Sequence, residues 1–203
     1  MSTVQRGRPR EFDRSAALDR ALMLFWERGY EATSIADLTA VMGIGTPSLY
    51  AAFHNKQALF DEVVALYATK HRAFMATAFL EETTLRAGLE RMLREAAAAY
   101  TRPDRPRGCL VITAATNCSS SEVQGRLREL RNSSISQFEG LIRAAVDAGE
   151  LTRDADPHLL ALATGIQIQG MAQQARDGTP RQELEAAATL MIAAWPWSTR
   201  AGK

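Results

Sequence analysis

The arginines near the start of the chain have a spacing that suits contact with a polyanion. Arg6, Arg8 and Arg10 alternate with Gly7 and Pro9, which disfavour a helix and leave an extended cationic segment. Such segments place guanidinium groups in the narrow minor groove of A·T-rich DNA, where negative potential is concentrated. The chemistry indicated is DNA binding by a basic arm, and the alternative is a solvated tail with no binding role.

A second group of candidate residues follows further along the chain and also suits DNA. The group consists of Thr46, Pro47, Ser48, Tyr50, His54 and Lys56. The hydroxyls and small apolar groups of the first three residues suit hydrogen bonds to base edges and contact with thymine methyl groups. The last three residues carry donors suited to phosphate oxygens, and a cation at a helix start suggests a bound anion.

Capping and spacing patterns predict the helices that must position these residues. Asp13 is expected to cap a helix that runs to about Arg28, with Gly29 just past its end. Ser34, which has an acidic residue three positions later, predicts the start of a second helix that ends near Met42.

The segment 34–53 as a whole is predicted to be a helix-turn-helix. After a tight, glycine-containing turn, Thr46 is expected to be the N-cap and Pro47 the first residue of a two-turn helix. Leu49 and Phe53 are four positions apart and are expected to face inward. The outer face of this helix would then enter the major groove.

The rest of the sequence predicts further helices and no strand. An apolar stripe without Gly or Pro predicts one helix from Lys56 to about Leu80, capped by Asn55. Further helices are expected near 84–100, 109–118, 121–148, 157–177 and 180–195. About nine helices therefore make an all-α protein.

We predict three parts along this chain. Residues 1–10 form the flexible basic arm, and residues 11–56 form an N-terminal three-helix domain with the helix-turn-helix. Residues 57–203 form a C-terminal helical domain for ligand binding and dimerisation, in which the helices 157–177 and 180–195 are expected to pair two copies of the chain.

Composition limits the class of protein. The 203-residue chain is 46% hydrophobic and has a net charge of +1, so contact with nucleic acid must be local rather than that of a general polycation. Cys109 and Cys118 cannot form a disulfide framework, which favours a reducing compartment. We find no N-terminal apolar segment and no long apolar run, so we predict no membrane span and expect a cytoplasmic protein.

No arrangement typical of an enzyme is found in the sequence. His54, His71 and His158 lie far apart and lack a companion carboxylate or cysteine in a recognisable motif. Glycine-rich phosphate loops, metal-spaced clusters and nucleophile elbows are also absent from the sequence. We therefore expect no catalysis, no metal and no cofactor. The remaining alternative is a helical protein-interaction module that does not bind DNA.

The segment Leu49 to Leu59 resembles the signature of the tetracycline-repressor (TetR) family of bacterial transcriptional regulators. It reads LYAAFHNKQAL and matches each fixed position of the pattern Leu-Tyr-x-x-Phe-x-x-Lys-x-x-Leu. The specific match covers about residues 10–60, and the remainder matches in helix number and size. One departure is Gly45, which stands where the family commonly has a hydroxyl N-cap, so we expect the cap at Thr46.

This resemblance implies a homodimer that binds a double-stranded DNA operator. It also implies that a small-molecule effector in the second domain releases the operator. By position, Thr33, Tyr50, His54 and Lys56 would contact the DNA backbone, and residues 46–48 would lie at the bases. Repression is the commoner mode of the family.

The effector would bind between helices of the second domain. The candidate lining residues mix apolar bulk with a few polar groups, although a Met or Phe at helical spacing is more often an ordinary core residue. They are His71, Phe74, Met92, Asn117, Phe138, Gln167 and Met171.

A thiol-based mechanism is an alternative way of sensing. Cys109 follows a loop that contains Arg102, Arg105 and Arg107, and nearby cations favour the thiolate form that a redox or electrophile sensor requires. The other interpretation is that Cys109 is a small buried apolar residue.

Overall fold

Ten α-helices account for most of the residues that the computed structural model describes, which are 13–114 and 116–199. Within that part, β-type pairing is limited to an isolated bridge between Leu151 and Trp197. The all-α prediction is therefore confirmed. The helices are α1 (Arg14–Arg28), α2 (Ile35–Met42), α3 (Thr46–Phe53), α4 (Lys56–His71), α5 (Ala73–Glu81), α6 (Leu85–Tyr100), α7 (Leu110–Thr113), α8 (Ser121–Asp147), α9 (Pro157–Arg176) and α10 (Arg181–Ala193).

Most of the predicted helix starts are confirmed by their caps. The Asp13 side chain accepts a hydrogen bond from the Ala16 backbone N–H, and Asn55 caps α4 in the same way through Ala58. Ser34 and Asp37 form a reciprocal capping box at the start of α2. The side chains thus satisfy backbone donors that the first helical turn leaves free.

The predicted cap of α3 is wrong by one residue. Gly45 is the N-cap, with extended backbone angles and no side-chain hydrogen bond, and Thr46 is already helical. Pro47 is the second helical residue, where its missing N–H also costs nothing. Thr46 is therefore free to present its hydroxyl outward instead of using it on the backbone.

The predicted single helix from Lys56 to Leu80 is also wrong, because the chain turns at Arg72. Neither Gly nor Pro lies at this break, so the local sequence does not predict it. The break redirects α5 onto α6 and α8, where Phe79 lies against Gly88 and Phe138. A Cβ at Gly88 would lie 2.7 Å from the Phe79 ring, so this glycine permits the close approach of α5.

Contacts between distant residues join the N-terminal helices to the rest of the molecule. The Arg176 guanidinium at the end of α9 donates to the carbonyls of Trp26 and Glu27, at 3.3 Å each, in the last turn of α1. The Glu31 carboxylate accepts hydrogen bonds from the backbone and hydroxyl of Ser119, just before α8. The end of α9 and the segment before α8 are therefore joined to the end of α1 and to the turn that follows it.

Candidate nucleic-acid interface and internal cavity

The third helix has one face against the core and one face in solvent. Leu49 and Phe53 have no exposed surface, as their spacing predicts. The opposite face carries small and hydroxyl-bearing side chains whose residues are exposed: Thr46, Pro47, Ser48 and Ala51. An exposed helical face of this composition can approach base edges and thymine methyl groups in a major groove.

Two arginines of α1, which the sequence interpretation missed, hold α2 and α3 in place. Arg14 lies 4.4 Å from the centre of the Phe53 ring, donates to the Ala52 carbonyl at 3.3 Å and pairs with Glu62 at 2.6 Å. Arg20 donates to the Met42 carbonyl at 3.1 Å, at the end of α2. Cations are favourable at helix C-termini, where carbonyl groups lack partners.

Tyr50 and His54 lie on the solvent side of α3. Tyr50 is 43% exposed. His54 caps the helix with a positive φ of 64°, and its backbone N–H donates to the Tyr50 carbonyl at 2.8 Å. Both side chains are therefore available to an external phosphate, beside the face that would meet the bases.

Lys56 has a partner inside the protein. Its Nζ lies 4.3 Å from the centre of the Tyr30 ring, and burial lowers the pKa of its ammonium group. The ring accounts for a cation at this helix start, so the position alone does not require an external anion. Among the described residues, however, none accepts a hydrogen bond from this ammonium group, so its donors remain free for a phosphate.

Thr33 does not fit the predicted phosphate contact. Its side chain is fully buried, and its hydroxyl donates to the Gly29 carbonyl at 2.7 Å. Its backbone N–H donates to the Tyr30 carbonyl at 3.3 Å. Thr33 thus shapes the turn between α1 and α2.

Arg6, Arg8 and Arg10 lie outside the described residues.

A second feature of interest is a cavity among α5 to α9. Its free volume is about 30 Å³, enough for one or two water molecules. A larger groove of about 640 Å³ lies between α5 and α8 and shares Arg72, Met75, Ser134 and Phe138 with the cavity. The polar or reactive residues of the cavity include Arg72, Tyr100, Cys109, Arg131, Ser134 and Gln169.

The predicted effector residues do not gather around one site. Phe138 lines both the cavity and the groove, whereas Met92 and Met171 are buried core residues outside them. His71 and Phe74 border a separate depression, and Asn117 borders another one near α1. Gln167 is half-buried, and its neighbour Gln169 lines the cavity instead.

His71 is instead part of the contact between α1 and α4. Its ring lies against Trp26 and Tyr67, at 5.1 Å and 5.6 Å between ring centres. Its Nδ1 accepts a hydrogen bond from Arg105 at 2.6 Å, which fixes the proton on the other ring nitrogen. Burial and this nearby guanidinium lower the pKa of His71.

The arginines expected to activate Cys109 are engaged elsewhere. Arg102 pairs with Asp104 at 2.8 Å, Arg105 contacts His71, and Arg107 donates to the Thr179 carbonyl at 2.9 Å. Cys109 itself is buried and precedes α7. The cavity places it near the hydroxyl of Tyr100 and the guanidinium of Arg131 instead.

The described residues, 13–114 and 116–199, hold neither a metal-binding cluster nor a membrane-spanning helix. No group of three or more His, Cys, Asp or Glu side chains is placed to hold a metal ion. No helix in that part of the chain has the length and apolar character needed to cross a membrane.

Comparison with known proteins identifies the class to which this fold belongs. The family model "Bacterial regulatory proteins, tetR family" matches residues 17–63, and "Tetracyclin repressor-like, C-terminal domain" matches residues 86–191. The HTH-type transcriptional repressor ComR of Escherichia coli (strain K12) is 36% identical over 197 residues, which are 94% of this chain and 92% of ComR. The chain therefore belongs to the TetR family.

Solved structures agree with this assignment. A cysteine mutant of the TetR family transcriptional regulator CifR, complexed with 26-base-pair double-strand operator DNA, is 40% identical with a TM-score of 0.88. The match covers 94% of this chain and all of that one. A TetR regulator from Chloroflexus aurantiacus shares the fold, with a TM-score of 0.77 at 23% identity over 89% of this chain and 92% of that one.

Proposed function

We propose that the protein is a dimeric transcriptional repressor that binds a palindromic DNA operator and is released from it by a small molecule. It acts by binding rather than by catalysis, in the cytoplasm where bacterial DNA lies. The observation that carries this proposal is α3, with Leu49 and Phe53 buried and Thr46, Pro47 and Ser48 in solvent. The relatives support it, because ComR is a repressor and the CifR mutant is bound to operator DNA.

The contacts proposed for each copy divide by chemistry. Residues 46–48 lie at base edges, whereas Tyr50, His54 and Lys56 donate to phosphates on either side. The basic arm, with Arg6, Arg8 and Arg10, is proposed to enter the adjacent minor groove. Phosphate contacts fix the position of α3, and base contacts supply the sequence preference.

An exposed apolar stripe supports dimerisation through α9 and α10. The stripe on α9 consists of Leu159, Leu162 and Ile166, which are three and four positions apart, and Leu190 lies on α10. Ile166 is the most exposed of the three on α9, with 62% of its surface in solvent. Aligned exposed apolar side chains of this size are typical of an interface. Two copies joined here present two reading helices to one duplex, which increases affinity.

Several small residues of α9 serve the packing of one chain rather than an interface between chains. Ala161, Gly165 and Ala172 are buried, and a Cβ at Gly165 would lie 2.9 Å from Ile135 on α8. They allow α8 and α9 to pack closely. Leu184 and Ala188 of α10 are likewise buried within the chain.

Footprinting on the DNA that flanks this protein's own gene tests the proposal. We expect protection of two related half-sites whose separation fits the two α3 helices of a dimer. Protection of one unsymmetrical site, or of no particular sequence, would contradict it. The same experiment with candidate effectors shows whether release follows.

A second candidate mechanism is thiol sensing at Cys109, because this residue lines the internal cavity beside Tyr100. An oxidant or electrophile small enough to enter would modify the sulfur and enlarge a buried side chain between α6 and α8. We expect such a reagent to weaken operator binding in the wild type and in Cys118→Ser, but not in Cys109→Ser. Equal sensitivity of all three proteins excludes this mechanism.

A further inference from the structure

The cavity contains two arginines without an acidic partner. Arg72 lies at the junction of α4 and α5 and donates to the Ser134 hydroxyl at 3.1 Å, while Arg131 of α8 donates to the Val111 carbonyl at 3.0 Å. Within the described residues, neither guanidinium forms an ion pair with a carboxylate. Both arginines are half-buried, and a cation withdrawn even partly from water without a counter-charge is unfavourable. This pair of arginines therefore suggests an anion supplied from outside.

Other donors in the same cavity also lack strong partners. The Nε of Arg72 is buried and lacks a hydrogen-bond partner in the described structure, and the buried hydroxyl of Tyr100 faces only the thiol of Cys109, which is a weak partner. Burial, together with the nearby Arg128, lowers the pKa of Arg131, as expected for a desolvated cation. Buried polar groups are nearly always hydrogen-bonded, so unpaired donors in a cavity indicate a missing acceptor.

The adjoining groove has a different character. Arg72 is its one charged residue, and the apolar side chains of Met75, Phe79, Leu80 and Leu141 form much of its wall. Acidic residues occur neither among the lining residues of the groove nor among those of the cavity. The two spaces together thus offer donors at the inner end and apolar surface at the outer end.

We infer that the effector is a small organic carboxylate, whose carboxylate group binds between Arg72 and Arg131 and whose apolar body lies in the groove between α5 and α8. Carboxylate oxygens match the fork of N–H donors on a guanidinium, and the cavity has room for a group of about that size. This inference specifies the ligand of the repressor proposed above and therefore depends on that proposal for its regulatory meaning.

The position of Arg72 suggests how binding would reach the DNA. Arg72 is the residue at which α4 ends, and α4 begins directly after α3. A carboxylate that draws Arg72 towards α8 changes the junction of α4 and α5. The helix that supports α3 is then displaced at its far end.

Calorimetric titration of the full-length protein with matched ligands tests the inference. The probes are linear carboxylates from butanoate to decanoate, each compared with the alcohol and the amine of equal chain length. We expect at least one carboxylate to bind at least tenfold more tightly than its alcohol, and the amine to bind more weakly still. If no carboxylate exceeds its alcohol, the anion site is wrong.

Variants separate charge from packing. We expect the preference for carboxylate over alcohol to vanish in Arg131→Gln and in Arg72→Gln. In Arg131→Lys, which retains the charge, we expect part of this preference to persist. Tyr100→Phe should reduce the preference by a smaller factor. Cys118→Ser should leave it unchanged, because Cys118 does not line the cavity. Preference that survives Arg72→Gln combined with Arg131→Gln overturns the assignment.

An operator-release assay keeps the two proposals distinguishable. If the preferred carboxylate also releases operator DNA, both the site and its regulatory role are supported. A carboxylate that binds without releasing DNA overturns the effector role of this site while leaving the anion site intact. Operator binding without any carboxylate preference overturns the anion site alone.

Discussion

At the scale of single residues, the role of Lys56 can be tested against a second lysine on the same helix. Lys56→Gln removes a proposed phosphate contact, so we expect weaker binding to all duplexes alike. The slope of log affinity against log salt should become shallower by about one unit for each bound subunit. Lys70, which pairs with Asp19 at 2.6 Å at the other end of α4, is the matched control. An unchanged slope in Lys56→Gln would show that its ammonium serves the Tyr30 ring only.

The sequence predicts a side chain's environment when its partners are close along the chain. The inward positions of Leu49 and Phe53 follow from their spacing of four, and the structure confirms them. The burial of Thr33 and the ring contact of Lys56 depend on how the turn after α1 folds back, so no local pattern indicated them. The helix-end contacts of Arg14 and Arg20 were missed for the same reason.

At the scale of helices, starts are more predictable than interruptions. Side-chain caps are local, so Asp13, Ser34 and Asn55 were found from sequence. The N-cap of α3 was misplaced because Gly45 has no side chain to mark it. The break at Arg72 was missed because tertiary packing of α5, rather than a helix-breaking residue, produces it.

The assignment of helix starts predicts that two hydroxyl substitutions differ in their effect on stability. Ser34→Ala removes a capping hydrogen bond of 3.0 Å to the Asp37 backbone, and should lower the free energy of unfolding by about 1 kcal/mol. Thr46→Ala changes an exposed residue within the first turn, and should cost less than about 0.5 kcal/mol. Urea unfolding at one fixed protein concentration measures both. A larger loss in Thr46→Ala would restore Thr46 as the cap.

At the scale of the whole molecule, the sequence indicated the architecture but not its binding surfaces. Helix number and order follow from periodicity, whereas a cavity depends on which helices meet. Of the seven residues proposed to bind the effector, only Phe138 lines the cavity and groove. The glycine and alanine positions on α9 do not identify a dimer contact by themselves, because close packing within a chain and between chains uses the same small residues.

The dimer surface is best tested with a charge placed in the exposed stripe. Ile166→Glu puts a carboxylate where two apolar faces would meet, so we expect monomers in sedimentation velocity and weaker operator binding. Leu80→Glu is the matched control, since Leu80 is 84% exposed and lies on α5, away from that stripe. A dimer that persists in Ile166→Glu would place the interface elsewhere.

The claim that the outer face of α3 reads DNA sequence is tested most directly by specificity. Fluorescence anisotropy would compare the affinity of the wild type and of Thr46→Ala combined with Ser48→Ala for the footprinted operator and for a scrambled duplex. We predict that the wild type binds the operator more tightly than the scrambled duplex by a factor on the order of 10³ or more. In the variant this factor should fall at least tenfold, while the affinity for the scrambled duplex stays unchanged. Full preference in the variant, or equal losses on both duplexes, would contradict the account.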